Sequence, residues 1–121
     1  MKIILKSKSS HSHYYNVTFD FSDGKVRILC DCPHGDWKRV CRHRLAMING
    51  DKSILFDKKQ ADQLDAVLKA LRQPGFDGEL ISYYKRLQLI EKQKSKRDDL
   101  VRQVNYDFGQ KLNEGISVAV N

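Results

Sequence analysis

The stretch ILCDCPHGDWKRVCRHRLAMING, residues 28–50, decides how this chain folds. It contains all three cysteines of the protein, two of its four histidines and its single tryptophan. Its spacing is Cys30-x-Cys32, then eight residues, then Cys41-x-His43. Three thiols and one imidazole are the ligand set of a closed, tetrahedral structural zinc site. The sequence therefore predicts one structural Zn²⁺ held by these four side chains.

The two halves of the motif need different local structures. Residues two apart on an extended chain project to the same side, so Cys30 and Cys32 can hold one ion from the end of a strand. Residues two apart on a helix lie about 200° around its axis and do not converge. We therefore expect Cys41 to lie before a helix and His43 in its first turn. The positive end of that helix would then lie near the thiolates, which it stabilises.

The residues on either side of the motif predict a strand pair and a helix. Apolar and polar residues alternate over 14–21 and again over 25–30, which is the period of half-buried strands. The Asp23-Gly24 turn between these runs is typical of a β-hairpin. After the motif, a short helix is expected from Arg42, with a stop at Asn49-Gly50.

The second half of the chain predicts a helical extension. Apolar residues at helical spacing indicate a helix with an N-cap at Asp57 and an end at Pro74-Gly75. A second helix is expected to begin near Asp77, and its apolar stripe fades over 91–99 before it returns. That polar stretch is either a solvated part of one long helix or a hinge between two helices. The tail from residue 115 onward is expected to be mobile unless it docks.

These elements predict an α+β fold of two parts. Residues 1–50 form a zinc-binding module with an N-terminal strand, a β-hairpin and a short helix, and residues 51–121 form the helical extension. A hairpin with one helix is too small to bury a sufficient core, and units below about 40 residues usually need a metal or disulfides. Zinc binding is worth on the order of 10–16 kcal/mol in finger peptides. Because Leu45 faces away from the predicted metal, the helices of the extension are expected to pack there.

The composition narrows the class of protein. Charged residues make up 31% of the chain and hydrophobic ones 40%, which is ordinary for a globular protein. Neither a run of about 18 apolar residues nor a secretory signal is present, so we expect a cytoplasmic protein with no membrane partner. Disulfides are uncommon in that reducing compartment, and three cysteines is an odd number. The thiols are therefore assigned to a metal rather than to disulfides.

A basic cluster surrounds the predicted metal site. The formal net charge is +7, and residues 1–50 carry nine Lys/Arg against four acidic residues. The cluster consists of Lys38, Arg39, Arg42 and Arg44. Arg42 and Arg44 lie about 100° to either side of His43 around the helix axis, so both are expected to reach solvent. The cluster either compensates the net negative charge of a zinc–trithiolate centre or contacts phosphates as the binding surface.

Other side chains near the motif have alternative roles. His34 is an alternative metal ligand, although a loop position beside the site is preferred. Trp37 either covers the zinc loop or stacks on a base. His11 and His13 are expected to be solvated. There are two competing explanations of the thiols. Either the three cysteines are buried for unrelated reasons, or Cys30 and Cys32 form a redox pair, although a disulfide between residues two apart would close a strained ring.

The pattern C-x-C-x(n)-C-x-H, on a strand pair followed by a helix, resembles the SWIM zinc finger. The four family positions fall on Cys30, Cys32, Cys41 and His43, and the resemblance covers residues 14–50. It implies a DNA-binding or protein-binding element with no catalytic role. The helical extension lies outside the resemblance.

The motif, the resemblance and the charge together predict a small non-enzymatic zinc protein that binds DNA through its basic module. The chain has no Gly-rich phosphate loop, nucleophile elbow or convincing carboxylate pair, so neither an enzyme nor a small-molecule substrate is expected. The alternative is an adaptor or inhibitor that docks an acidic protein partner, such as part of a nucleic-acid-processing complex. It would dock through the zinc module or the helical extension.

Overall fold

The computed structural model describes residues 1–10, 12–33, 39–91 and 97–118. Within these ranges, four strands form one antiparallel sheet in the order β1-β2-β3-β4, together with four α-helices. The strands are β1 (Lys2–Lys8), β2 (Tyr14–Ser22), β3 (Lys25–Cys30) and β4 (Ile116–Ser117). The helices are α1 (Arg42–Ile48), α2 (Ala61–Leu71), α3 (Pro74–Glu91) and α4 (Arg97–Glu114). The α+β prediction is confirmed.

Strands β2 and β3 form the predicted hairpin. Asp23 and Gly24 in its turn have φ of 55° and 70°, the conformation that matches a tight turn to the twist of the two strands. Phe19 lies opposite Ile28 in the register, and both are fully buried. The apolar residues of both strands therefore share one face, which we call the inner face of the sheet.

Strand β1 extends this sheet, with Leu5 opposite Val17 of β2. Both residues are fully buried on the inner face, whereas Ile4 is 52% exposed on the opposite, outer face. Burial alternates in the same way along β2 and β3. The helices therefore cover the inner face of the sheet and leave the outer face to solvent.

The start of α2 fastens to the edge of β1. The carboxylate of Asp57 accepts a backbone N–H bond at 3.0 Å, so the predicted cap is present. It caps a 3-10 turn, Lys58–Gln60, that leads into the helix. The side chain of Gln60 accepts a bond from Lys6 N and donates one to Ile4 O. These bonds satisfy backbone groups that an edge strand otherwise leaves open.

Helix α3 begins at Pro74 and not near Asp77, so the predicted start is wrong. Helix α2 already ends at Leu71. Proline is well suited to the first turn of a helix, because the N–H group that it lacks has no intrahelical partner there. The proline therefore opens the second helix of the extension.

Helices α3 and α4 pack against each other in antiparallel order. Three pairs connect them, namely Glu79 with Lys111, Tyr83 with Phe108, and Arg86 with Asp107. The residues of α3 in these pairs follow one another toward the end of that helix, while their partners follow one another toward the start of α4. The chain therefore reverses its direction between the two helices. Helix α3 therefore ends and α4 begins within the polar stretch over 91–99, whose residues 92–96 lie outside the described part of the chain.

The last described segment docks on the sheet. Ile116 lies opposite Val26 in the register of β3 and β4, and Val118 N donates to Gly24 O at 2.9 Å. Gly115, with φ of 110°, turns the chain from α4 into β4. The sequence predicts a tail that is mobile unless it docks on the rest of the protein, and the structure shows it docked as far as residue 118.

One apolar core joins the two predicted parts of the chain. It contains Phe19 from the sheet together with Leu64, Phe76 and Phe108 from three helices. Half-buried Leu45 of α1 packs against the same core, so the expected packing of the extension on the module is confirmed. The boundary between the two parts stays a prediction.

Candidate metal centre

The structure brings the four predicted ligands together in one buried cluster. The ligand atoms of Cys30, Cys32, Cys41 and His43 all lie within 4.8 Å of one another. These residues are 8%, 0%, 3% and 4% exposed, respectively. In a tetrahedral site with Zn–S bonds of about 2.3 Å, the sulfur atoms lie about 3.8 Å apart. The donor set therefore fits one Zn²⁺ after a small contraction of the cluster.

The end of β3 supplies Cys30 and Cys32. Cys30 is the last residue of the strand and lies opposite Val17 on the inner face. The carboxylate of Asp31 accepts bonds from N and Nδ2 of Asn16 at 2.8 and 3.1 Å, and Asp31 N donates to Asn16 O. These bonds keep the chain beside β2 beyond the strand end. Cys32 therefore stays on the same side as Cys30.

The start of α1 supplies Cys41 and His43, as the spacing predicts. Cys41 is the N-cap residue, with φ of −108° and ψ of 163°, and its sulfur accepts a bond from Arg44 N at 3.5 Å. His43 lies in the first turn of the helix. The expected change from extended chain to helix between the two ligands is confirmed. The N–H group of Arg44 lies beside the sulfur of Cys41, where it stabilises negative charge.

The imidazole of His43 lies beside both a thiol and the ring of Tyr15. Its Nδ1 is 3.9 Å from Cys30 Sγ, and its ring centroid is 5.2 Å from that of Tyr15. Its Nε2 is buried and has no hydrogen-bond partner in the described part of the chain. Since buried polar atoms are nearly always bonded, an unpartnered ring nitrogen in a cluster of thiols fits a metal-binding histidine.

The thiols of Cys30 and Cys41 shift each other's pKa in opposite directions. The Cys30 thiol, and then the side chain of His43 and the backbone of Arg44, lower the pKa of Cys41 against the opposing effect of burial. The interaction with Cys41, and then burial, raise the pKa of Cys30. Cys41 is therefore the more acidic thiol of the pair. A metal ion that displaces the thiol protons would convert both into thiolate ligands.

Arg44 does not reach solvent, so that prediction is wrong. The residue is fully buried, and its Nη1 donates to Ile28 O at 3.0 Å and to Asn113 Oδ1 at 2.8 Å. Its Nη2 donates to Arg39 O at 2.5 Å. This side of α1 faces β3 and the end of α4, because the helical extension covers it. The guanidinium therefore links three segments of the chain and is not available to a phosphate.

The charge of Arg44 lies close to the thiols. Its three hydrogen-bond acceptors are two carbonyl oxygens and one amide oxygen, and none is a carboxylate in the described part of the chain. The same positive charge helps to lower the pKa of Cys41. A Zn²⁺ with three thiolates and a neutral imidazole carries one net negative charge. Of the two roles considered for the basic cluster, the structure therefore supports charge compensation for Arg44, because its guanidinium lies beside a centre that would be negatively charged.

The other residues of the basic cluster lie at different depths. Arg42 is exposed and donates to Ser9 O at 3.4 Å, whereas Arg39 is half-buried, and both line a shallow groove beside the ligands. His13 is exposed, as expected. Predictions for four further residues fall outside the described part of the chain: His11, His34, Trp37 and Lys38. A contact between Arg39 or Arg42 and a phosphate stays a prediction.

Helices α3 and α4 form a helical hairpin, and two of its residues that the sequence did not identify hold the metal loop, the described residues 39–42 around Cys41. Val40 N donates to Asn105 O at 2.9 Å, and Asn105 Oδ1 accepts from the hydroxyl of Tyr83 at 2.6 Å. Asn113 binds Arg44 in the same way from the end of α4. A polar residue on a helix is ordinarily assigned to its solvated face. No local pattern therefore identifies Asn105 or Asn113 as part of the site.

The comparisons with known proteins identify no relative of this chain. No family model, curated protein or solved structure matches the chain. The SWIM resemblance therefore depends on the motif and the elements around it. The geometry shows that a buried Cys3His cluster is close enough to hold one metal ion. Among the described helices, none has the length and apolar character needed to cross a membrane.

Proposed function

We propose that the protein is a non-enzymatic, cytoplasmic SWIM-type zinc module that binds DNA. The buried Cys3His cluster carries the metal part of this proposal. Four protein ligands fill a tetrahedral zinc shell and leave no position for a substrate, which favours a structural role. The ion would cross-link the end of β3 to the start of α1.

Metal analysis of the purified chain tests this part. We expect one zinc ion per chain, and substitution by Co²⁺ should give the strong absorption bands of a tetrahedral thiolate site. His43→Ala should lose most of the zinc and these bands, whereas the matched variant His13→Ala, at an exposed histidine, should keep both. A compact metal-free wild type, or equal zinc content in the two variants, would contradict the proposal.

The distribution of ion pairs supports a polyanion partner. The described residues form five ion pairs, and all of them join residues within 51–121. The described lysines and arginines of the first fifty residues form none, so neighbouring carboxylates do not neutralise them. A net charge of +7, with every described cation of the first fifty residues outside the ion pairs, favours binding to nucleic acid.

Titration of labelled DNA at several salt concentrations tests the DNA part. Binding should be detectable at about 50 mM salt and weaken steeply toward about 200 mM. If the metal loop contacts phosphates, the double variant Arg39→Gln/Arg42→Gln should reduce the salt slope by about 1.8. Lys59→Gln/Lys69→Gln, at two exposed lysines of the extension, is the control with the same charge change. No binding at low salt would contradict the proposal.

One observation favours the adaptor alternative. Ile81 is 52% exposed and Leu89 is 64% exposed, and two helical turns place them on the same face of α3. Exposed apolar residues on one helix face are typical of a protein-binding surface. Capture of a specific partner that Ile81→Ser/Leu89→Ser abolishes, with DNA binding absent, would favour this alternative.

A further inference from the structure

The outer face of the sheet is a surface that none of the described helices covers. The register arranges its residues in rows across the strands. One row is Lys2, Asp20 and Arg27, and the next is Ile4, Thr18 and Leu29. Ile4 and Leu29 are 52% and 39% exposed, whereas the inner-face residues Leu5 and Ile28 beside them are fully buried. This face lies on the opposite side of the sheet from the metal centre.

The outer positions of β1–β3 are strongly basic. They include five cations, namely Lys2, Lys6, Lys8, Lys25 and Arg27. Asp20 is the one acidic residue at the outer positions of these three strands, and none of the five cations forms an ion pair with a described residue. Arg42 lies on the other side of the sheet, beside the metal ligands, and donates to Ser9 O just beyond the end of β1.

Apolar groups lie among these cations. Ile4 and Leu29 occupy the middle row, and Tyr14 is 42% exposed at the end of the face. Lys6 Nζ lies 5.0 Å from the centroid of the Tyr14 ring. The solvated face of an antiparallel sheet is normally polar. An apolar row bordered by unpaired cations fits a ligand that offers both negative charge and flat apolar rings.

We propose that this outer sheet face is the surface on which the chain binds single-stranded DNA. The proposal rests on the DNA-binding function and transfers its main contact from the metal loop to the sheet. A duplex presents phosphates and hides the faces of its bases, so it would use the cations but not Ile4 and Leu29. A single strand offers unpaired bases to the apolar row and phosphates to the cations on its borders.

A set of charge variants tests the surface. The probe is a labelled oligothymidine of about 15 nucleotides, within the range that single-strand modules cover. Lys2→Gln/Lys8→Gln/Lys25→Gln should weaken binding at low salt and reduce the salt slope by about 2, since each phosphate contact contributes about 0.7 on a single strand. The control, Lys59→Gln/Lys69→Gln/Lys85→Gln, removes the same charge from the helical extension and should retain the slope.

A second pair of variants tests the contact with bases. Ile4→Thr/Leu29→Thr keeps the charge and suits a strand, and it should lower the affinity about five- to tenfold with an unchanged salt slope. Its control, Ile81→Thr/Leu89→Thr, changes two residues of similar exposure on α3 and should bind as the wild type does. Circular dichroism and zinc content of each variant show whether the fold is retained.

The outcomes separate this proposal from the function on which it rests. If the wild type binds no nucleic acid at low salt, both fail. If it binds but the sheet variants match their controls while Arg39→Gln/Arg42→Gln removes binding, the sheet proposal alone is overturned. Duplex DNA, oligouridine or polyglutamate bound more tightly than oligothymidine would also overturn it. Reduced slope in the lysine variant together with reduced affinity at constant slope in Ile4→Thr/Leu29→Thr would support it.

Discussion

Around Cys41 the polar groups that join the elements are buried, whereas between α3 and α4 the charged groups lie in solvent. The candidate metal ligands are at most 8% exposed and Arg44 is fully buried. In the helical hairpin, the side chains of the Arg86–Asp107 pair are 46% and 35% exposed. Both regions pack on the same apolar core. Buried polar groups hold the first region together, whereas partly exposed ion pairs connect the two helices of the second.

The difference indicates where the fold is vulnerable. A buried charge or hydrogen bond that loses its partner is costly, because no water replaces the partner. An exposed ion pair contributes little, because water and salt compensate for its loss. The predictions below test this contrast, beginning at the metal and ending at the surface of the hairpin.

Removal of zinc should have the largest effect. Structural zinc binding is worth on the order of 10–16 kcal/mol, and the stability of a whole domain is about 5–15 kcal/mol. A strong chelator should therefore unfold β3 and α1. Hydrogen exchange with mass spectrometry should show amide protection lost there first and retained longer in α3 and α4. Equal protection of β3 with and without chelator would contradict the assigned role of the metal.

Substitution of Arg44 should have the next largest effect. Arg44→Met fills a similar volume but leaves Asn113 Oδ1 without its donor and the metal centre without its compensating charge. We expect a loss of about 3–5 kcal/mol in the free energy of unfolding and weaker zinc binding in competition with a chelator. The neighbouring Arg42→Met, at an exposed position, should change stability by about 0.5 kcal/mol or less. Equal effects of the two variants would show that Arg44 is not a buried link.

The contrast between these two arginines also shows what the sequence can predict. The ligands and the start of α1 follow from the spacing, because strand and helix geometry leave one way for Cys41 and His43 to converge with the strand cysteines. The burial of Arg44 does not follow, since a short helix with alternating basic residues has the sequence pattern of a helix that is solvated on both sides. Its burial depends on α4, which lies more than fifty residues away in the sequence. Such packing leaves no local pattern.

The remaining differences have the same origin. Pro74 has the pattern of a helix end and of a helix start, and only the position of the preceding helix decides between them. The β4 strand contains two residues, Ile116 and Ser117, too few for an alternating pattern. Its pairing with β3 is fixed by where α4 ends. Local periodicity therefore predicts the elements, and long-range packing decides their ends and which polar side chains are buried.

Tyr83→Phe should have an intermediate effect. The substitution removes the hydroxyl group that donates to Asn105 Oδ1. The backbone oxygen of Asn105 in turn accepts a bond from Val40 N of the metal loop. We expect a loss of about 1 kcal/mol in denaturant unfolding, because a half-buried acceptor loses its partner. Tyr106→Phe, at a tyrosine that is 43% exposed, is the control and should be nearly neutral. A neutral Tyr83→Phe would mean that this bond does not couple the hairpin to the loop.

The same residue predicts a pH dependence. Burial, and then the neighbouring Tyr84, raise the pKa of Tyr83 to about 12 in the folded chain. A tyrosine of the unfolded chain has a pKa near 10, so the folded form holds the proton more tightly. The associated stability is present below about pH 10 and is lost as the pH rises toward about 12. Unfolding curves should therefore converge for wild type and Tyr83→Phe over this window, and a constant difference would contradict the assignment.

The smallest effect is expected at Arg86. Its guanidinium lies 3.0 Å from the carboxylate of Asp107, in a pair that is partly in solvent. The pKa of Asp107 is lowered first by the bond from Gln103 and then by Arg86, so the carboxylate keeps a donor when the arginine is replaced. Arg86→Gln should therefore cost about 0.5 kcal/mol or less, and high salt should abolish the difference from wild type. A loss as large as that of Arg44→Met would remove the contrast between the two regions, because it would show that solvent does not compensate for a broken ion pair in the hairpin.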